Sequence, residues 1–108
     1  MKLILVKNLI AFISIALSFV YSDTIYRVPI KGVIDLGLPP YIKRTIEEAE
    51  SIKADAIVFD INTFGGRVDA ATQIKDAILG SDVKTIAFIN RRAISAGALI
   101  SLSCEKVF

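Results

Sequence analysis

The chain is predicted to be an α/β domain with a parallel sheet, and three observations carry that prediction. Near-continuous apolar runs at 56–61 (AIVFDI) and 83–90 (VKTIAFIN) have the character of strands buried on both faces. In YIKRTIEEAESIK and RVDAATQIKDAIL, apolar residues recur at the spacing of one helix face. The links between these segments are short, so strand and helix alternate in the manner of βαβ units.

In chain order, residues 1–22 come first, with Lys2 and Lys7 early and an apolar stretch from Leu9 to Val20. That stretch has the length of a signal-peptide core and falls short of the ~20 residues a spanning helix needs. Val20 and Ser22 fit a cleavage site after Ser22; the alternative is an uncleaved membrane anchor, with Leu3 to Val6 extending the apolar run. Either way the domain at 23–108 is expected to be exported, to the extracytoplasmic face of the membrane or the periplasm.

Next, TIYRVPI (24–30) predicts a strand that closes at a turn containing Gly32. Pro39 and Pro40 open a helix whose buried stripe is Ile42, Ile46, Ala49 and Ile52, leaving Glu47, Glu48 and Glu50 on a solvated face. The strand 56–61 follows and ends at a turn formed by Gly65 and Gly66. Val68, Ala71, Ile74 and Ile78 then mark a second helix, stopped by Gly80. After the strand 83–90, SAGALISLSC starts a third helix, and KVF opens a strand that stops at Phe108. The expectation is a sheet of about three or four strands, truncated at its C-terminal side.

Composition narrows the function. A chain of 108 residues holds one small domain. At 54% hydrophobic and 22% charged, with a formal charge of +2, it is neither disordered nor built to coat a nucleic acid. Cys104 is the sole cysteine, so no disulfide framework is expected. Histidine is absent, which excludes a Ser-His-Asp triad, a Cys-His dyad and any His-ligated metal within these residues. No cofactor or metal is expected.

In a parallel α/β sheet, ligands gather beyond the carboxyl ends of the strands. Two segments are placed there. DINTFGGRVDAA carries paired glycines whose backbone N–H groups can face a developing oxyanion or a phosphate. NRRAISAG places Ser95 at or near a helix N-terminus, where the dipole favours a negative centre. Each has a plainer alternative: Gly65 and Gly66 as an ordinary turn, Ser95 as a helix cap. There is no Walker lysine spacing and no G-x-G-x-x-G, which argues against a nucleotide loop. Asp60 is placed at a strand end, Asp69 in the first turn of a helix, and Arg91 and Arg92 on a solvated rim.

Together the two segments, D-x-N-T-x-G-G-x-V-D-A and A-x-S-A-G-A about thirty residues later, resemble the NfeD-like membrane-bound serine proteases of the ClpP class. The resemblance covers Tyr26 to Phe108. It implies the layered ClpP/crotonase fold, Ser95 as nucleophile and backbone amides at Gly65 and Gly66 as oxyanion hole. It also implies a lysine base some tens of residues beyond the serine, past Phe108; Lys106 comes too soon. The family's proline before the glycines is Phe64 here, which changes the shape of the groove that Phe64 and Ile94 are expected to line. The implied substrate is a hydrophobic segment of a membrane protein such as a stomatin-like partner, and homo-oligomers are expected. Two alternatives stand beside this serine endopeptidase: a catalytically inactive remnant or binding module, and a crotonase-type acyl-CoA enzyme, which export disfavours.

Overall fold

A computed structural model of the chain describes residues 2–18 and 22–108. Eight elements follow one another: α1 (Lys2–Ser18), β1 (Ile25–Ile34), α2 (Leu38–Ser51), β2 (Ala56–Gly66), α3 (Val68–Leu79), β3 (Thr85–Ala93), α4 (Ala96–Ser103) and β4 (Lys106–Val107). The four strands form one parallel sheet in the order β1-β2-β3-β4. Pro29 lacks an N–H and is tolerated because β1 is an edge of this sheet.

Side chains alternate across a strand, and here one face is the core. Ile57, Phe59 and Ile61 of β2 are buried with Val28 and Ile30 of β1 and Ala87 of β3. Against them lie Ile42, Ile46 and Ala49 of α2, Ala70, Ala71, Ile74 and Ile78 of α3, and Ile100 of α4. Phe59 is fully buried, worth ~1.5–3 kcal/mol by removal from water alone. The other face carries Arg27, Lys31, Asp60 and an exposed Phe88.

The helical stripes differ from expectation at their ends. Ile52 is exposed because α2 has already ended at Ser51. Val68 is exposed at the start of α3, and Ala70 takes its place in the core. The strands run further than their apolar runs. β1 continues through Gly32 to Ile34, β2 from Ile61 to Gly66, and β3 to Ala93. Asp60 is therefore interior to β2, and Gly65 and Gly66 are strand residues paired with Val33 and Ile34 rather than a free turn.

α1 is a 17-residue helix whose residues 2–13 are exposed on every side. No helix among the described residues is long and apolar enough to cross a membrane. Val20, part of the predicted cleavage signal, lies outside the described residues.

Candidate active site

The site is built where the sheet stops being regular. Between β1 and β2 the register shifts after Lys31, and between β2 and β3 it shifts after Ile61. Opposite the single residue Asn62, β3 spends Asn90, Arg91 and Arg92 before pairing resumes at Ala93 and Thr63. Arg91 accommodates the excess with a φ of 87°, a bulge of the kind that re-aims a strand end. The result lifts the following residues over the end of β2, where the Ile94 N–H donates to the Thr63 carbonyl at 3.1 Å.

Ser95 is the next residue. It links β3 to α4 with φ 55° and ψ −117°, a region that costs an L-residue ~1–3 kcal/mol. Its carbonyl accepts from the Ala98 and Leu99 N–H groups, so its backbone occupies the cap position. Its hydroxyl makes no capping hydrogen bond, and the residue is exposed. A cap would use the hydroxyl on the N2 or N3 amide. Here a strained strand-to-helix turn presents a free hydroxyl to solvent instead, the same local logic as a nucleophile elbow.

Gly65 faces that serine. A Cβ on Gly65 would lie 2.9 Å from Ser95 Cβ and 3.0 Å from the Ile94 carbonyl oxygen, and its φ of +113° excludes an ordinary side chain. Its N–H donates to Thr63 Oγ1 at 2.9 Å. The neighbouring Arg67 N–H donates to the Ile34 carbonyl at 2.8 Å. Because successive amides of a strand alternate sides, the Gly66 N–H between them points away from β1. Among the described residues, the Ala96 N–H at the start of α4 has no backbone partner, and its nitrogen would lie 3.3 Å from a Gly65 Cβ. The Ala96 N–H thus stands open beside the serine, across from Gly65.

The walls are apolar with one cation. Phe64 is 70% exposed and Ile94 48% exposed. Arg92 stacks its guanidinium 4.3 Å from the centre of the Phe64 ring, a cation–π contact that removes it from the simple solvated rim expected of it. Arg67 pairs with Asp69 through two hydrogen bonds of 3.0 and 2.8 Å. Asp69 also sits in the first turn of α3, where its charge suits the helix dipole.

Other ionisable groups stand apart. Asp60 is 1% exposed and bonded to Arg27, with Lys31 Nζ 3.5 Å away. The Arg27 hydrogen bond holds its carboxyl below the usual range against the opposing effect of burial. Burial pushes the Cys104 thiol up to about 12, so it is inert as a nucleophile at neutral pH. Lys106 pairs with Ile86 at the amino end of β3, roughly 20 Å along the strand from Ala93. A cavity of about 250 Å³ between α2 and α3 is lined by Lys43, Glu47, Glu50 and Asp76 and does not include Ser95.

The predicted residues Ser95, Gly65, Phe64 and Ile94 therefore meet on one rim. Three others were not singled out by sequence. Thr63 carried a signal, since a threonine beside a glycine turn can bond local backbone. Arg92 had none beyond its charge, and Ala96 contributes an amide, to which composition is blind.

Residues 24–108 match the family described as NfeD1b, N-terminal domain. The membrane protein NfeD1b of Bacillus subtilis is 36% identical over 87 residues, which are 81% of this chain and 20% of that protein. A solved structure of the 1510-N membrane protease specific for a stomatin homolog, from Pyrococcus horikoshii, superposes with a TM-score of 0.73 at 31% identity, covering 81% of this chain and 45% of that one. ClpP1 from Listeria monocytogenes, solved as an N-to-D variant, gives a TM-score of 0.70 at 32% identity over 73% of this chain and 46% of that one. The chain spans about a fifth of the length of NfeD1b. The architecture is that of the ClpP-like protease domains.

Proposed function

The chain belongs to the NfeD1b N-terminal domain family, and from that premise we propose that it is the N-terminal part of a membrane-associated serine endopeptidase. The observation that carries the proposal is Ser95 itself: a strained backbone, an uncapped exposed hydroxyl, and a facing glycine with no room for a side chain. The likeness to a membrane protease and to ClpP1 supports it.

In this mechanism Ser95 Oγ attacks a peptide carbonyl, and its proton passes to a neutral lysine supplied from beyond Phe108. The tetrahedral oxyanion is held by the Gly66 and Ala96 N–H groups, a contribution of order 10²–10³ in rate per donor. Gly65 serves by leaving the approach to Ser95 open, its own amide being bonded to Thr63. The lysine then protonates the departing amine, and water hydrolyses the ester on Ser95. Phe64 and Ile94 line a groove for an apolar peptide, consistent with a hydrophobic segment of a stomatin-like membrane protein as substrate. Export to the extracytoplasmic side, with residues 1–22 as leader or anchor, and assembly into a homo-oligomer complete the proposal.

The test is cleavage of an apolar peptide by the full-length gene product. Ser95→Ala is expected to abolish cleavage with the fold intact; cleavage that survives the substitution would remove Ser95 from the mechanism. A second reading, a domain that is catalytically silent by itself, draws on the position of the chain's lysines. Lys31 lies at Asp60, Lys75 at Asp76, and Lys106 at the far end of the sheet. Cleavage or fluorophosphonate labelling of the full-length product that Ser95→Ala removes would favour the protease; a folded full-length product that shows neither would favour the silent domain.

A further inference from the structure

Thr63 is 1% exposed and touches every segment that shapes the rim. Its Oγ1 accepts the Gly65 N–H at 2.9 Å and donates to the Gly32 carbonyl of β1. Its own carbonyl accepts the Ile94 N–H at 3.1 Å, one residue before Ser95. Its Cγ2 packs against Gly97 in the first turn of α4, where a Cβ would approach within 2.5 Å. One side chain thus ties β1, the end of β2, the approach to Ser95 and the start of α4.

We propose that the Thr63 hydroxyl is a positioning latch: it turns the Gly65 N–H inward and thereby aims the following Gly66 N–H outward beside Ser95. This rests on the reading of Ser95 as nucleophile, and it goes beyond that reading by assigning a residue that touches no substrate. The physical reason lies in the freedom of the peptide unit. Gly65 has φ +113° and Gly66 no side chain, so the peptide unit joining them at the end of β2 takes its direction from hydrogen bonds rather than from side-chain sterics. A hydroxyl that accepts on one side and donates on the other fixes it. Gly32, at φ 77° in the break between β1 and β2, supplies the carbonyl that completes the latch.

Two substitutions separate the latch from packing. Thr63→Val keeps the methyl against Gly97 and deletes the hydroxyl; Thr63→Ser does the reverse. In the full-length product, reaction of Ser95 with a fluorophosphonate is expected to slow at least about tenfold in Thr63→Val, the scale of a misaimed oxyanion donor. In Thr63→Ser it should stay within about threefold, because the hydrogen bonds persist. Peptide cleavage should lose kcat with little change in KM. Independently of activity, amide hydrogen exchange at Gly65 should quicken about tenfold or more in Thr63→Val and remain protected in Thr63→Ser. The inverse order, with valine neutral and serine impaired, or an unchanged Gly65 exchange rate in Thr63→Val, would overturn the latch. An unlabelled wild-type protein would overturn the nucleophile reading instead, and the exchange rates would then uphold or overturn the latch by themselves.

Discussion

At the amino ends of the strands, residues 25–31 of β1 lie against 56–62 of β2 without a break, and 57–61 of β2 against 85–89 of β3. At the carboxyl ends both ladders slip, and Arg91, Ser95, Gly32 and Gly65 all take positive φ. The first region is a regular slab closed by Ile57, Phe59 and Ile61; the second is irregular and exposes Ser95 beside the open Ala96 N–H. The contrast teaches where conformational strain is held. The regular half supplies the burial energy, and the irregular half spends part of it to hold a serine hydroxyl away from its ordinary capping role.

The largest break in this contrast should come from the regular half. Phe59→Ala removes a fully buried ring and is expected to cost ~3–5 kcal/mol, read as a fall in the denaturant midpoint. At the other end, Gly65→Ala forces a Cβ to 2.9 Å from Ser95 Cβ at a φ of +113°. A cost of ~1–3 kcal/mol is expected there, together with loss of fluorophosphonate reactivity, which Phe59→Ala would affect only through unfolding. Equal stability of Gly65→Ala and wild type would mean the rim is not tight.

Ser95 itself sharpens the comparison further. If its backbone is strained, glycine should suit it better than alanine, so Ser95→Gly is expected to exceed Ser95→Ala in stability by about 1 kcal/mol. Thermal unfolding of the two variants decides it; at a relaxed position alanine would be the more stable.

The smallest expected effect concerns Asp60, which lies where the regular ladder gives way. Its folded-state pKa is lowered, chiefly by the Arg27 hydrogen bond. Its contribution to stability is therefore fully present above its unfolded pKa of ~3.9. It is lost as pH falls through the lower folded value. Arg27 is largely exposed, so about 1 kcal/mol or less is at stake. Asp60→Asn should flatten the acid limb of a stability–pH curve below about pH 4 and leave the neutral region nearly unchanged in slope.

The same division explains what was legible in the sequence. The core strands announce themselves through the alternate residues that face the helices, Ile57, Phe59, Ile61 and Ala87 among them; the burial on both faces expected of 83–90 is not met, since Phe88 is exposed on the other face. Past the apolar runs, β1, β2 and β3 carry Lys31, Asn62 and Arg91 at the breaks in register, where pairing rests on backbone groups that composition does not record. Ile52 and Val68 fit a helical stripe by spacing yet stand outside it, because periodicity cannot tell where a helix begins or stops. Ser95 and the paired glycines were visible as a pattern, while the role of Thr63 required the fold, since its partners Gly32 and Gly97 lie 31 and 34 positions away in sequence.

The most direct measurement is the intact mass of the full-length gene product after treatment with a fluorophosphonate, followed by peptide mapping. The account predicts a single adduct on Ser95, absent from Ser95→Ala and slowed in Thr63→Val. An adduct on another residue, or an unreacted protein that is otherwise folded, would contradict the claim that this strained rim presents an activated serine.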